Sequence, residues 1–323
     1  MRRLLIIGCG DVALRMVRLL RGRYRLYALS HSAQRYELLR THGIIPLPGD
    51  LDDPARLSRL AGVPHDILHF APPRNDGAQD ARTRNLIRAL QRGPSIPQRL
   101  VYISTSGVYG DCGGAVVEEH RTPCPQSERG QRRVHAERML RAWSRRSAVS
   151  VVILRVPGIY AADRLPLERI RRATPALVQA EDAYTNHIHA EDLARIVLAA
   201  LSRGRTGRTY NAADGSWLKM GDFFDLVAES FGMPKPPRIS RGEAESSMPA
   251  GLLSFMRESR RLSNRRMREE LRVRLRYPTV AEGVADAAAQ SGARTRALTQ
   301  HRNPGGRGDR IDSFDISNIQ SNR

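Results

Sequence analysis

The chain has 323 residues, 41% of them hydrophobic, which is enough for one large domain or two smaller ones with a sizeable core. A formal net charge of +20 at pH 7 suggests a nucleic-acid partner, but the charge is almost all arginine, with Lys219 and Lys235 the two lysines, and it is spread through every segment rather than gathered on one stripe. That spread argues against a specific nucleic-acid protein and leaves non-specific polyanion binding at low salt; the lack of any apolar run near 20 residues argues against a membrane helix.

Cys9, Cys112 and Cys124 are odd in number and lack metal-ligand spacing, so a reduced, cytoplasmic protein without a metal site is expected. The start resembles a signal peptide only superficially, because its apolar part is short and Gly-Cys-Gly-Asp interrupts it.

Residues 4–7 read as a strand that runs directly into Gly8-Cys9-Gly10-Asp11-Val12-Ala13, and residues 12–20 follow with helical apolar spacing. Gly-x-Gly-x-x-Ala between a strand and a helix is how a dinucleotide reaches a helix N-terminus. Gly8 would allow the tight turn, Gly10 would let a pyrophosphate approach the backbone, and Ala13 would let the helix pack close. The plainer alternative is an ordinary tight turn.

Gly22 is placed to end that first helix. Further strands are expected at 25–29, 44–47, 66–70, 100–104 and 149–156, and helices at 34–41, 81–90 and 128–145. This alternation predicts an α/β protein, a Rossmann-type doubly wound parallel sheet. Residues 1–159 form the dinucleotide-binding core in this reading. Residues 160–289 form a smaller C-terminal substrate-side lobe, with a helix at 190–201 and a strand at 209–212 returning to the core, so that 186–213 belong with it. A Pro-rich break follows Gly232, and a terminal helix is expected at 279–288. Residues 290–323, rich in Gly, Arg, Asn and Ser, read as a disordered tail, in which Arg307-Gly-Asp309 is a chance tripeptide.

Several later segments carry a more specific signal: Tyr102-Ile-Ser-Thr105-Ser-Gly-Val-Tyr109-Gly-Asp111, Leu154-Arg-Val-Pro-Gly-Ile-Tyr160, Asn186-His-Ile-His189-Ala-Glu-Asp192, Ser263-Asn-Arg-Arg-Met-Arg-Glu-Glu-Leu271 and Arg276-Tyr-Pro-Thr279. In this order the series resembles the extended short-chain dehydrogenases/reductases, the NAD-dependent epimerase/dehydratase group, and within it the atypical nucleoside-diphosphate-sugar epimerase-like proteins. The resemblance covers residues 1 to about 289.

It implies that Gly8, Gly10 and Ala13 hold a pyrophosphate. NAD-preferring relatives end the second strand with an acid; here Ser30-His31-Ser32 and Arg35 stand instead, a set that would accept a 2′-phosphate. NADP is therefore favoured and NAD remains open, the alternative being that these are exposed loop residues. Asp50-Leu51 would lie against adenine, although Asp50 could equally cap a helix near Pro54. Phe70-Ala71-Pro72 would line the cofactor's middle, and Pro157, Gly158 and Ile159 would flank the nicotinamide. His189 and Asp192 match a motif expected to fix a loop to the body.

The chain departs from the family in its catalytic pattern, a Ser or Thr with Tyr-x-x-x-Lys. Thr105 fits the hydroxyl, but counting back from Glu137 puts Arg129 at the Tyr position and Arg133 at the Lys position. Arginine stays protonated at neutral pH and is no ordinary proton donor; Arg133 could still hold a ribose or phosphate. Tyr109 is the candidate catalytic replacement, and Tyr160, Asn186 and His187 are candidate substrate contacts, packing with a satisfied hydroxyl being the plainer role for the tyrosines. The expectation is an NAD(P)-dependent oxidoreductase or epimerase-like enzyme acting on a small polar substrate such as a nucleotide sugar, with a non-standard site and a homodimer as the assembly to look for. The alternative is a non-catalytic NAD(P)-binding sensor on the same fold.

Overall fold

The apolar run at the N-terminus becomes β1 (Arg2–Ile7), with Leu4 to Ile7 wholly buried. In the computed structural model, which describes residues 1–301 apart from 21, 94, 250–252, 254 and 255, this strand lies in the interior of the main sheet. The helix α1 (Asp11–Leu20) follows, burying Val12, Ala13, Met16, Val17 and Leu20 along one stripe. Gly22, at φ +77°, lets the chain leave it.

Next come β2 (Tyr24–Ser30), α2 (Tyr36–Thr41), β3 (Ile44–Pro48), β4 (Asp66–His69), α3 (Ala81–Gln91), β5 (Arg99–Thr105) and the two-residue β6 (Val116–Val117). The long helix α4 (Glu128–Arg146) leads to β7 (Ser150–Val156). The short strands β8 (Gly158–Tyr160), β9 (Ala176–Leu177), β10 (Tyr184–Thr185) and β11 (His187–His189), with α5 (Leu167–Arg171) among them, precede α6 (Ala190–Arg203) and β12 (Thr209–Asn211).

Seven strands form one parallel sheet in the order β12-β7-β5-β4-β1-β2-β3. Both faces are covered. Leu4 and Ile6 point into a core shared with α1 and α6, whereas Leu5 and Ile7 point into one shared with α3 and α4. That is why the strands read as continuous apolar runs. Pro46 and Pro48 are tolerated because β3 is the sheet edge. The strand order reverses between β1 and β4, which leaves a crevice at their C-terminal ends.

The segment around 186–213 does return to the body: α6 packs on α1, and β12 extends the sheet beside β7. The remaining C-terminal part has its own small core of Tyr160, Ile170, Phe223, Phe224, Val227, Val280 and Val284. Asp192 ties this part to the body, its carboxylate accepting the Arg276 and Tyr277 amides, each at 2.8 Å, as the motif implied. His189 caps α6, its Nδ1 accepting the Glu191 amide at 3.2 Å.

One expectation needs correction. The terminal helix runs Val280–His301, so the tail expected from 290 is helical for its first twelve residues. Arg307 to Asp309 and the rest of 302–323 lie outside the described residues.

Beside Asp192, Asp214 is 1% exposed and its Oδ2 lacks a protein partner, while Oδ1 accepts the Ser216 amide at 2.8 Å. Burial, reinforced by Asp192 and Glu282, raises its carboxyl to about 7. The folded protein therefore binds a proton that the unfolded chain, with a pKa near 4, has released. The stabilisation is present below about pH 4 and is lost as pH rises through about 7, with a slope of up to about 1.4 kcal/mol per pH unit. Melting scans from pH 4 to 8 should show Asp214→Asn close to wild type near pH 4 and increasingly more stable toward pH 8. A constant gap across the range would contradict this assignment.

Candidate cofactor and substrate clefts

The crevice at the β1–β4 switch opens as a cleft of ≈ 620 Å³. Its two glycines serve for different reasons. Gly8 has φ +84°, and a Cβ there would meet the Ala71 nitrogen at 2.5 Å. The Phe70 and Ala71 amides both donate to the Ile7 carbonyl, at 2.8 and 3.0 Å, and hold the loop after β4 against the turn. Gly10, by contrast, has nothing within 4 Å of its Cβ position. A side chain there would enter the cleft, where the amides of Asp11, Val12 and Ala13 head α1.

The charge of the cleft is one-sided. Among the described residues its lining includes six arginines, Arg35, Arg74, Arg129, Arg132, Arg133 and Arg164, against one acid, Asp11. That acid is already engaged, at 2.9 Å by Arg15 and 3.6 Å by Arg164. The Arg35 Nη2 donates to the Cys9 carbonyl at 2.7 Å, which fixes a cation on the rim of the glycine loop. Burial pushes the Cys9 thiol up to about 11 despite Arg35, so it serves as neutral wall rather than nucleophile.

Arg35 also borders a narrower recess of ≈ 190 Å³ with Ser30, His31, Asp50, Leu51, Pro72 and Arg82. The Ser30 hydroxyl donates to the Ser32 carbonyl at 3.1 Å; Ser32 contributes its backbone and stands outside the recess lining. Asp50 accepts the Asp52 amide at 2.9 Å. The cap of the following 3₁₀ turn, Pro54–Leu60, belongs to Asp53, which accepts the Ala55 amide at 3.1 Å, so the capping alternative for Asp50 falls. Sequence reasoning missed Arg82, which is clamped by Asp52 at 2.9 and 2.6 Å and donates to the Pro72 carbonyl at 3.1 Å.

At the far end, β5 delivers Thr105. Its Oγ1 accepts the Gly107 amide at 3.2 Å, which leaves its own O–H to donate elsewhere. Ser127 caps α4, accepting the Gly130 amide at 3.2 Å, and sets the helix register. That register puts Arg129 and Arg133 side by side on the cleft. The Arg133 Nη1 donates to the Tyr102 hydroxyl at 3.0 Å and to the Ile103 carbonyl at 2.7 Å.

A second cleft of ≈ 260 Å³ adjoins the first, and Thr105, Arg129 and Pro157 line both. Ile159 faces the first; Gly158 and Asn186 face the second, although both ends of the Asn186 amide are used, with Nδ2 donating to the Arg260 carbonyl at 2.9 Å and Oδ1 accepting the Leu262 amide at 2.7 Å. The second cleft's wall also includes Ser106, inside the segment that carries Thr105, and Tyr184, Glu258 and Arg260, which the sequence did not mark. They come from three distant segments with no motif in common.

Three candidates lie elsewhere. The 3₁₀ turn Ser106–Tyr109 carries Tyr109 inward; its hydroxyl donates to Asn211 Oδ1 at 2.7 Å, and the Arg155 guanidinium lies 4.6 Å from its ring centre. Tyr160 is 3% exposed in the C-terminal core, and its hydroxyl donates to the Thr279 carbonyl at 3.4 Å. His187 is buried 4.2 Å from the Phe223 ring, and burial pulls its imidazole down to about 4, so it stays neutral at pH 7. None of the three lines either cleft.

Residues 10–213 match the family described as the NAD dependent epimerase/dehydratase family. A dTDP-glucose 4,6-dehydratase of Mycobacterium tuberculosis is 28% identical over an alignment of 208 residues that covers 57% of this chain and 62% of the length of the curated relative. Among solved structures, a functionally unknown conserved protein from Silicibacter pomeroyi DSS superposes with a TM-score of 0.74 at 26% identity, covering 90% of this chain and 99% of that one. The fold is shared with dTDP-glucose 4,6-dehydratase from Bacillus anthracis in complex with NAD (TM-score 0.72, 16% identity, 92% and 98% covered). It is also shared with UDP-glucose 4-epimerase with UDP-glucose from Thermotoga maritima (TM-score 0.73, 17% identity, 91% and 99% covered). Among the described residues no helix is long and apolar enough to cross a membrane.

Proposed function

The chain belongs to the NAD dependent epimerase/dehydratase family, and from that premise we propose that it binds NADP and works as an oxidoreductase or epimerase-like enzyme on a small polar substrate, a nucleotide sugar being the candidate its relatives suggest. The observation that carries this reading is the cleft at the strand switch. It has open space over Gly10 and six arginines against one paired acid.

The residues fit the dinucleotide. Gly8 to Ala13 and the start of α1 would hold the pyrophosphate, and Phe70, Ala71 and Pro72 would wall its middle. Ser30, His31 and Arg35, joined by Arg82, would take a 2′-phosphate, with Asp50 and Leu51 beside the adenine. Arg133 would meet the ribose, and Pro157, Gly158 and Ile159 the nicotinamide. When bound, the cofactor supplies hydride transfer. The protein's own part is to orient the substrate, with the Thr105 hydroxyl donating to its oxygen where the two clefts meet.

Arg129 and Arg133 stand where relatives of the usual pattern have a phenol and a lysine, and this favours a second reading, a cofactor-binding sensor without turnover. Turnover across a panel of carbonyl compounds and nucleotide sugars separates the two.

The test of the first reading is a fluorescence titration. Wild type should bind NADPH more tightly than NADH. Ser30→Asp should weaken NADPH about tenfold or more, through charge repulsion of the 2′-phosphate, and leave NADH nearly unchanged. A wild type that prefers NADH overturns the cofactor choice; one that binds neither overturns the reading.

A further inference from the structure

The smaller cleft has a chemical character of its own. Arg129, from the start of α4, and Arg260, from a segment far along the chain, both line it. One carboxylate faces them, Glu258, held by Arg260 Nη1 at 2.7 Å. The same nitrogen donates to the Gly110 carbonyl at 2.7 Å, which fixes the guanidinium, and the buried Arg260 Nε has no protein acceptor. Hydroxyls of Thr105 and Ser106 and the first turn of the nineteen-residue α4 complete this end. Arg133 adds a further cation just across Thr105, in the larger cleft.

Two guanidiniums, a helix N-terminus and hydroxyl donors around a cavity of ≈ 260 Å³ form a site for an oxyanion. A phenol at position 129 would offer a neutral donor and accept a neutral substrate group. An arginine there has five N–H donors and no acceptor, and its favoured partner is a carboxylate or phosphate.

We infer that the substrate carries a carboxylate or phosphate group beside its reacting carbon, and that Arg129, together with Arg260, binds that anion. The inference rests on the reading that the larger cleft holds the dinucleotide, since Thr105, Arg129 and Pro157 are shared by both clefts. Arg129 then sets specificity for an acidic substrate, at the position where its relatives place a proton donor.

Calorimetry on the full chain tests this, with oxalate, inorganic phosphate and the neutral oxamide as probes, each with and without saturating NADPH. Oxalate or phosphate should bind in both conditions and oxamide should not; the tighter of the two anions identifies the substrate's acidic group. Arg129→Met should weaken that anion about tenfold or more, and Arg129→Lys should keep part of the affinity. Position 129 is solvent-facing in the first turn of α4, so an unchanged melting temperature is expected for both variants. Three results would overturn the inference: no anion binding to wild type, equal affinity in Arg129→Met, or displacement of NADPH by the anion, which would put it on the cofactor's phosphate positions. NADPH affinity is read separately by fluorescence. Loss of NADPH binding with retained, Arg129-dependent oxalate binding refutes the dinucleotide reading and leaves the anion site standing.

Discussion

Gly10→Asp should reduce NADPH affinity at least about 100-fold, or about 2.8 kcal/mol, with the melting temperature nearly unchanged. Gly10 has no atom within 4 Å of its Cβ position and no unusual φ, so a side chain there meets no protein. What it would meet is the bound pyrophosphate, and a carboxylate adds repulsion to the bulk. Gly8 supplies the contrast. With φ +84° and the Ala71 nitrogen 2.5 Å from its Cβ position, it yields a strained variant whose binding loss would report on folding. The measurement is a fluorescence titration of Gly10→Asp beside a thermal melt. Equal affinities for variant and wild type would remove the chief support for a dinucleotide in this cleft.

The largest effect on stability is expected from Arg155→Met. Arg155 and Glu137 are each 3% exposed and pair at 2.8 Å, with a second bond at 3.1 Å. Ser104 donates to the same carboxylate at 2.7 Å. These three residues join β7, β5 and α4 directly behind the cleft. Removing the cation strands a buried carboxylate and also uncovers the Tyr109 ring, at a cost of about 3–5 kcal/mol. Removing both charges, Arg155→Met with Glu137→Leu, should recover most of that loss, because a buried pair gains little over an apolar one of similar size. Urea unfolding of the two variants gives the comparison. A loss under about 1 kcal/mol in the single variant would mean that Ser104 and Arg141, 3.8 Å from Glu137, already suffice for the carboxylate. The pair also holds α4 in the register that presents Arg129 and Arg133, so the single variant should bind NADPH more weakly as well.

The alternation of strands and helices was legible along the chain because burial on both faces of a parallel sheet leaves short, continuous apolar runs. The first, residues 4–7, is wholly buried. The glycine turn was legible too, since its geometry depends on neighbours in sequence: strand, turn and helix are contiguous. Thr105 was singled out because it fits the hydroxyl position of the resembled family's catalytic pattern, and the structure sets it at the end of β5, where strand ends in this fold meet the crevice.

Tertiary structure alone decided the rest. The arginines looked scattered, yet six of those described converge on one cleft, because the start of α4, with three of them, meets three segments far apart in the chain at the C-terminal edge of the sheet. Arg82 lies on α3 and Arg260 in the C-terminal part of the chain, and no local pattern marks either. Tyr109 sits four residues after Thr105 but faces away from it, since the intervening residues form a 3₁₀ turn that rotates its ring into the core. Tyr160 and His187 follow the same rule, drawn inward by Phe223 and the terminal helix. The terminal helix continues to His301, beyond the point where its composition suggested an end. Periodicity along a chain reports which residues are buried, whereas the direction of a side chain at the end of an element depends on the backbone turn that follows and on the partners waiting there. For that reason the sheet and its glycine turn could be read from the residues in order, and the charge and shape of the two clefts could be read only after folding had brought those residues together.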